Sequence, residues 1–243
     1  MKPLFAFLSL FILWSFSFAQ TTFQMAYGGA NLDKCNDVTN TPDGGYIIAG
    51  ESKNSDGEQS IILTKTNAQG QITWSKMYMN GVFEMPNSVL NAPNGGYVVA
   101  GERYPGVGPS ELAYIFQVDK NGVLQWQRIF DSGGNMAEAL AAKNTKDGGY
   151  IIGGRAERTI VATNIFLNMS AEMRYLYLLK INGQGDPVWS KKYHTGEQIR
   201  MTRANDVFSC DDGGFIVAGE FQHNTARKDL DMGLVKVDKL GKI

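Results

Sequence analysis

The stretch Gly44-Gly45-Tyr46-Ile47-Ile48-Ala49-Gly50 occurs in four versions along this chain, and it decides the fold. The other three begin at Gly95-Gly96-Tyr97, Gly148-Gly149-Tyr150 and Gly213-Gly214-Phe215, and they continue as YVVAG, YIIGG and FIVAG. In each, a tight glycine turn precedes a run of β-forming residues whose continuous apolar middle is typical of a strand buried on both faces. Recurrence at about 50 residues indicates a repeat architecture.

The second occurrence shows how one unit is organised. A short half-polar strand A, Asn87–Asn91, precedes the glycine turn, and strand B follows as Tyr97–Arg103. Strand C, Ala113–Asp119, leads through an Asp-Lys-Asn-Gly turn to strand D, Val123–Phe130, which carries Trp126. Four strands in simple succession form an antiparallel meander. We expect four such units, at roughly residues 20–70, 71–122, 123–185 and 186–243.

A four-stranded meander repeated at this period is the pattern of β-propeller blades. The fold class that we expect is therefore all-β, a β-propeller of four-stranded antiparallel blades. The motif GGYIIAG, followed by Lys-x-Asp/Asn-x-x-Gly-x-x-x-Trp, also resembles the propeller repeats of secreted bacterial surface proteins, many from Bacteroidetes-type organisms. That resemblance spans essentially the mature chain and implies a surface protein without an assigned activity. The Asp-to-Trp portion is loosely similar to the tryptophan-docking motif of quinoprotein propellers.

The two ends of the repeat array leave two arrangements open. Thr22–Tyr27 aligns with a D strand, with Phe23 at the tryptophan position, whereas the fourth unit reaches Ile243 two residues before its expected tryptophan. In one arrangement the N-terminal D strand completes the last blade of a closed four-blade ring and covers its sheet edges. In the other, the sequence is a fragment of a larger propeller. The stop inside a repeat favours the fragment.

Residues 1–19 have the organisation of a signal peptide. Lys2 gives a positive start, Leu4–Phe16 an apolar core, and Ser17-Phe18-Ala19 a cleavage site before Gln20. We therefore expect residues 20–243 to be exported, either secreted or on the cell surface, with the periplasm as an alternative. No membrane insertion is expected after cleavage, because no other stretch approaches the length of a membrane span.

The overall charge and the reactive residues exclude several classes of function. The formal net charge is −1 and the charges are scattered, which argues against a nucleic-acid partner. The two histidines, His194 and His223, have no third ligand at a zinc-binding spacing, and neither a nucleophile elbow nor a phosphate loop occurs. Cys35 and Cys210 have different offsets from their glycine pairs, so we expect no disulfide. We expect no cofactor and no bound metal.

The connections between the strands point to one face of the fold. In an A-B-C-D meander the short, uniform A–B and C–D turns lie at one end, and the variable B–C and D–A loops lie at the other. Binding residues concentrate on loops that a rigid scaffold holds, so the variable-loop face is the candidate site. The B–C loops are predicted at residues 52–60, 104–112, 156–174 and 222–230. The candidate binding residues are Ile160, Ile165 and Phe166 in the third of these loops, together with Tyr104, Phe83 and Arg203.

Strand A, expected nearest the propeller axis, carries Asp37 and Asp206 at equivalent places, seven residues before the glycine pair. We predict that both carboxylates line a central channel. They could approach a cation, but calcium needs about six to eight oxygen ligands, so a solvated channel lining is the preferred interpretation. Paired carboxylates for glycoside chemistry stay open, because they require only proximity in space.

The function that we expect from the sequence is that of a non-catalytic binding or scaffold module. It would act as a monomer through the variable-loop face, with a glycan or a protein as partner. One alternative is a secreted, carboxylate-dependent glycan hydrolase or lyase. Another is a purely structural segment of a longer surface protein.

Overall fold

The computed structural model describes residues 22–29, 32–79, 83–106, 111–133, 135–164, 167–194, 199–223 and 229–243, without the side chains at 159–164, 167–172, 199, 200 and 223. The fold is all-β, as expected, with fifteen strands and no helix among these residues. None of them therefore provides a helix that could cross a membrane. The strands are β1 (Leu32–Asn40), β2 (Tyr46–Lys53), β3 (Gln59–Thr66), β4 (Ile72–Tyr78), β5 (Phe83–Asn91), β6 (Tyr97–Tyr104), β7 (Leu112–Val118), β8 (Leu124–Phe130), β9 (Ala137–Asn144), β10 (Tyr150–Asn164), β11 (Leu167–Ile181), β12 (Pro187–Tyr193), β13 (Ile199–Ser209), β14 (Phe215–His223) and β15 (Leu230–Val237).

The strands follow one another as antiparallel meanders, which confirms the A-B-C-D order read from the sequence. Meander 1 is β1–β4, meander 2 is β5–β8, meander 3 is β9–β12, and meander 4 is β13–β15. A single parallel bridge between Gln59 and Phe83 joins the first two meanders into one eight-stranded sheet. The other two are separate sheets. Among the described residues no pairing joins the last meander to the first, so these strands form no closed ring.

The hydrophobic core lies between successive meanders. We call the side of a meander that packs on the next one its front face, and the opposite side its back face. Ile151 and Leu178 on the front of meander 3, for example, pack against Val217 and Val235 on the back of meander 4. Equivalent clusters join meander 1 to meander 2 and meander 2 to meander 3. An inner B strand is therefore covered on both faces, which explains its unbroken apolar run.

The D-strand tryptophans attach each meander to the next. Trp74 lies 6.2 Å from Tyr97, between ring centroids, and its indole nitrogen donates to the Lys120 carbonyl at 3.0 Å. Trp126 with Tyr150 and Trp189 with Phe215 repeat the ring contact. The aromatic that follows each glycine pair is therefore the partner of the preceding tryptophan.

The N-terminal segment 22–29 makes the contacts of a D strand on the back of meander 1, as its alignment predicts. Phe23 lies 5.7 Å from Tyr46, between ring centroids. The Tyr27 hydroxyl donates to the Gly70 carbonyl at 2.7 Å, as the Tyr78 hydroxyl donates to the Gly122 carbonyl at 2.8 Å. The segment nevertheless has no strand pairing within the described residues.

The glycine that ends each apolar run is required by the closeness of strand A. At Gly154 a Cβ atom would overlap the carbonyl oxygen of Glu138. The register of β9 against β10 shifts at this point, because a β-bulge brings the two backbones together. The same overlap with a strand-A carbonyl recurs at Gly50, Gly101 and Gly219.

One sequence prediction about the loops is wrong. Residues 156–174, predicted as the third B–C loop, are almost entirely strand, because β10 and β11 pair without interruption from Tyr150↔Ile181 to Asn164↔Leu167. The β-branched Thr159, Ile160 and Val161 favour this extension of the hairpin. Arg203, predicted as a residue of the variable-loop face, lies inside strand β13. At the other three predicted B–C loops the flanking strands end and begin close to the predicted bounds, at Lys53 and Gln59, at Tyr104 and Leu112, and at His223 and Leu230.

Candidate functional site

A layer of charged residues marks the variable-loop end of the sheets. In each meander a charged residue directly follows the glycine that ends the apolar run, and it lies opposite a strand-A residue. We call the charged members of these pairs the charged layer. The pairs are Lys34↔Glu51, Met85↔Glu102, Glu138↔Arg155 and Arg203↔Glu220.

Two carboxyl groups of the charged layer are buried where meanders 2 and 3 meet. Glu102 is 7% exposed and Glu138 is 5% exposed. The Asn87 side-chain amide joins the two meanders, since it donates to Glu102 Oε1 at 2.8 Å and to the Ala139 carbonyl at 2.9 Å. Burial, and then repulsion from Glu138, raises the pKa of Glu102 to about 7. Burial also raises the pKa of Glu138, against the opposing effect of Arg155.

The raised pKa of Glu102 predicts that stability falls as the pH rises. Between about pH 4.5 and pH 7 the folded chain keeps a proton that the unfolded chain has released. The free energy of unfolding should therefore decrease through this window by up to about 3 kcal/mol and then level off. Glu102→Gln removes the ionisation and can still accept from Asn87, so we expect this variant to be the more stable at pH 8.

Urea denaturation of both proteins from pH 4.5 to pH 8 measures this effect, because their difference isolates Glu102. Glu51→Gln is the matched control, since it removes the equivalent carboxylate, which lies 2.8 Å from Lys34 Nζ. It should not stabilise the protein at pH 8. A Glu102→Gln variant that is less stable than the parent at pH 8 would contradict the assignment.

Three arginines line a cavity of about 180 Å³ between meanders 3 and 4, at the variable-loop end. We call it the arginine cavity. Arg155 comes from β10, Arg174 from β11 and Arg203 from β13. Thr202, Glu220, Gln222 and Leu230 complete its lining.

The three guanidinium groups differ in their partners. Arg155 is paired with Glu138, and its Nε lies 3.5 Å from Glu157 Oε1. Arg174 Nε donates to the same Glu157 oxygen at 2.8 Å. The Nε atoms of Arg155 and Arg203 are both buried without a hydrogen-bond partner in the described part of the chain. A buried donor of this kind is costly unless a ligand or water satisfies it.

The other predicted site residues lie apart from the arginine cavity. Phe83 and Tyr104 are register partners across β5 and β6, so the structure brings these two together on meander 2. Ile160 lies in β10 opposite Ala171, and its side chain is not described. Ile165 and Phe166 lie outside the described residues.

The two strand-A carboxylates hold backbone amides. Asp37 Oδ2 accepts from the Val89 amide of the next meander at 2.7 Å, and Oδ1 accepts from the Val38 amide at 2.8 Å. Asp206 Oδ1 accepts from the Val207 amide at 2.9 Å and lies 3.4 Å from Lys143 Nζ. Each carboxylate therefore already accepts a hydrogen bond from a backbone amide, whether or not it also lines a channel.

Neither a metal cluster nor a disulfide occurs among the described residues. No group of three or more His, Cys, Asp or Glu side chains there is placed to hold a metal ion. Cys35 and Cys210 are both free.

A larger cavity, of about 450 Å³, lies at the turn end of meanders 2 and 3. Two of its polar side chains, Gln117 and Asp119, already have partners. Gln117 donates to Asn94 Oδ1 at 2.7 Å and accepts from the Trp126 indole at 2.9 Å. Asp119 Oδ1 accepts from the Asn121 and Val123 amides, both at 2.8 Å. These contacts build the turns, so this cavity is the weaker candidate despite its size.

Sequence reasoning missed Arg155, Arg174 and Glu138. One signal could have found the first, since Arg155 stands where the other three apolar runs are followed by Glu51, Glu102 and Glu220. A reversal of charge at a repeated position indicates that the side chain has a different role there. Arg174 gives no such signal, because its place follows from the length of the β10–β11 hairpin.

Comparisons with known proteins leave the function open. No protein family matches the chain, and no curated protein does. Among solved structures it is similar to a protein of unknown function from Bacteroides caccae, at 15% sequence identity and a TM-score of 0.46. The match covers 87% of this chain and 80% of that one. The function therefore has to be inferred from the residues of this chain.

Proposed function

We propose that the chain is an exported, non-catalytic binding module that recognises an acidic glycan through the arginine cavity. In this proposal the meanders are blades of a β-propeller, and the module is secreted or held at the cell surface. The sequential packing of front face on back face supports the blade arrangement. The observation that carries the binding proposal is the convergence of three arginines on one cavity, where the Nε atoms of Arg155 and Arg203 have no hydrogen-bond partner in the described part of the chain.

The size and the chemistry of the cavity suit one carboxylate-bearing sugar residue. At about 180 Å³ the cavity is smaller than the roughly 300 Å³ at which sites for drug-sized ligands begin. A guanidinium group offers two parallel N–H donors to a carboxylate. Arg155 and Arg174 already face Glu138 and Glu157, and Glu220 is the register partner of Arg203, so a ligand would be held by N–H donors without a partner, such as the Arg203 Nε. Thr202 and Gln222 can exchange hydrogen bonds with sugar hydroxyls.

Arg203→Gln should weaken binding to a polyuronate at least tenfold, because a hydrogen bond to a charged group contributes about 1.5–3 kcal/mol. Calorimetric titration with oligogalacturonate measures this loss, and a neutral glucan of similar length shows whether the charge is needed. Arg128→Gln is the matched control, since Arg128 on the outer strand β8 pairs with Asp186 and does not line the cavity. Its affinity should equal that of the parent chain.

Each other result would have a clear meaning. Equal affinity for the uronate and the neutral glucan would overturn charge recognition. Equal loss in both arginine variants would show a non-specific electrostatic effect. Binding of an acidic peptide in place of any glycan would assign the face to a protein partner, and no binding at all would favour the purely structural segment.

A carboxylate-dependent hydrolase or lyase is the second candidate, and one observation favours it. The pKa of Glu102 is raised to about 7, which suits a general acid, and Glu138 lies close enough to contribute to that shift. Both carboxyl groups are buried, however, and neither lines the arginine cavity. Release of reducing ends from a polyuronate, abolished by Glu102→Gln, Asp37→Asn or Asp206→Asn, would establish the enzyme and sink the binding module.

A further inference from the structure

The front face of meander 4 exposes the residues that the other meanders bury. Leu234 pairs with Ala218 in β14, as Leu178 pairs with Gly153 in β10, and both partners hold the same place in the apolar run. Leu178 is fully buried, but Leu234 is 70% exposed. By the same register Met232, 98% exposed, corresponds to the fully buried Leu176.

The back face of meander 1 is open in the complementary way. Val38 is 53% exposed, whereas Val89 and Val207, at the same distance before their glycine pairs, are 4% and 0% exposed. A cavity of about 330 Å³ opens on this face, with Tyr27, Ile48 and Ile62 in its lining. Apolar groups on the two end faces are therefore exposed where the three internal interfaces bury their counterparts.

The strand edges beside these two faces also lack partners. In the described residues β15 pairs with β14 on one side, whereas each other C strand also pairs with a D strand. The segment 22–29 lacks the other partner: Phe23 and Tyr27 make the contacts of a D strand, but no C strand pairs with them in the described residues. An unpaired edge is a template for another strand.

We propose that a second copy of this chain docks head to tail, so that its β15 pairs with the 22–27 segment and its meander 4 covers meander 1. The interface continues the three front-to-back interfaces already present within the chain. Within one chain the segment 22–29 and strand β15 each have an unpaired edge, and they do not pair with each other. This favours a second copy as the partner over closure within the chain. Such heterologous contacts form a ring where the rotation closes and a filament where it does not. An oligomer thus replaces the monomer expected from the sequence.

The register of the new pairing follows from meander 1. In meander 1, Leu63 pairs with Lys76 and Lys65 pairs with Trp74. In the proposed pairing Leu234 takes the place of Leu63, Lys236 takes the place of Lys65, and Phe23 takes the place of Trp74. Phe23 should therefore lie opposite Lys236 of the second copy. Because the pairing is antiparallel, Met25, two residues after Phe23, should lie opposite Leu234, two residues before Lys236.

Cysteine cross-linking between two chains tests this register. Both chains carry Cys35→Ser and Cys210→Ser; one also carries Met25→Cys and a size tag, and the other carries Leu234→Cys. Oxidation of the mixture at 50 µM should give a covalent heterodimer at least tenfold more abundant than a control mixture in which Ile129→Cys replaces Leu234→Cys. Ile129 is 45% exposed, but it lies on an inner meander. Sedimentation of the unsubstituted chain should show a mass above that of one chain.

Two results would overturn the proposal. One is a mixture that cross-links no better than its control while the unsubstituted chain sediments as a monomer. The other is a cross-link that forms only when both new cysteines are in one chain, at monomer mass, because that result means closure within the chain.

Discussion

Gly154→Ala is expected to destabilise the protein by at least about 3 kcal/mol, because the new Cβ would overlap the Glu138 carbonyl and the two backbones would have to separate. The backbone at Gly154 is not left-handed, so steric overlap is the whole cause. Equilibrium urea denaturation, followed by tryptophan fluorescence, measures the change in the free energy of unfolding.

Gly148→Ala separates this cause from backbone strain. Gly148 has φ +79°, but a Cβ there would meet no atom within 4 Å. Its replacement should cost roughly 1–2 kcal/mol, the usual penalty for a left-handed non-glycine residue. A cost at Gly154 no greater than the cost at Gly148 would show that the closeness of strand A is not what requires the repeated glycine.

Trp126→Ala is expected to cost about 3 kcal/mol, because its ring joins two meanders. The indole lies 6.4 Å from Tyr150, between ring centroids, and covers Gly185, where a Cβ would lie 2.6 Å from the ring. Its Nε1 donates to Gln117 Oε1 at 2.9 Å. Thermal or urea unfolding of the variant measures the loss, and exchange protection of amides at the contact between meanders 2 and 3 should fall with it.

The matched control is Ile129→Ala on the same strand. Ile129 is 45% exposed, so its truncation should cost less than about 1 kcal/mol. Similar costs for the two variants would mean that the tryptophan fills space without attaching one meander to the next.

The strand order was predictable because turn chemistry and burial act locally. The apolar run of strand B ends at Gly101 because the Met85 carbonyl approaches there, and the sequence shows the glycine without showing this cause. The loop between β10 and β11 was mispredicted because the pairing of a long hairpin depends on both strands at once. The exposure of Leu234 depends on what covers meander 4, which no residue spacing encodes.

The candidate site was only partly predictable, for the same physical reason. The sequence predicts Arg203 as a residue of the variable-loop face, and it does line the arginine cavity. Arg155 and Arg174 reach that cavity from two other strands, through hairpin pairing and the packing of meander 3 on meander 4. Phe83 and Tyr104 are also predicted site residues. They lie opposite each other in the sheet although they are distant in sequence, and neither lines the arginine cavity.

The placement of the core between meanders sets the smallest folding unit of this protein. A single meander has apolar faces but no interior, since Ile151 and Leu178 are buried in a cluster that residues of meander 4 complete. Two adjacent meanders enclose one core, and each further meander adds another through nearest-neighbour contacts. Cooperativity should therefore grow with the number of meanders, and opening should begin at the ends. A cut through the chain preserves structure only where it leaves adjacent pairs intact.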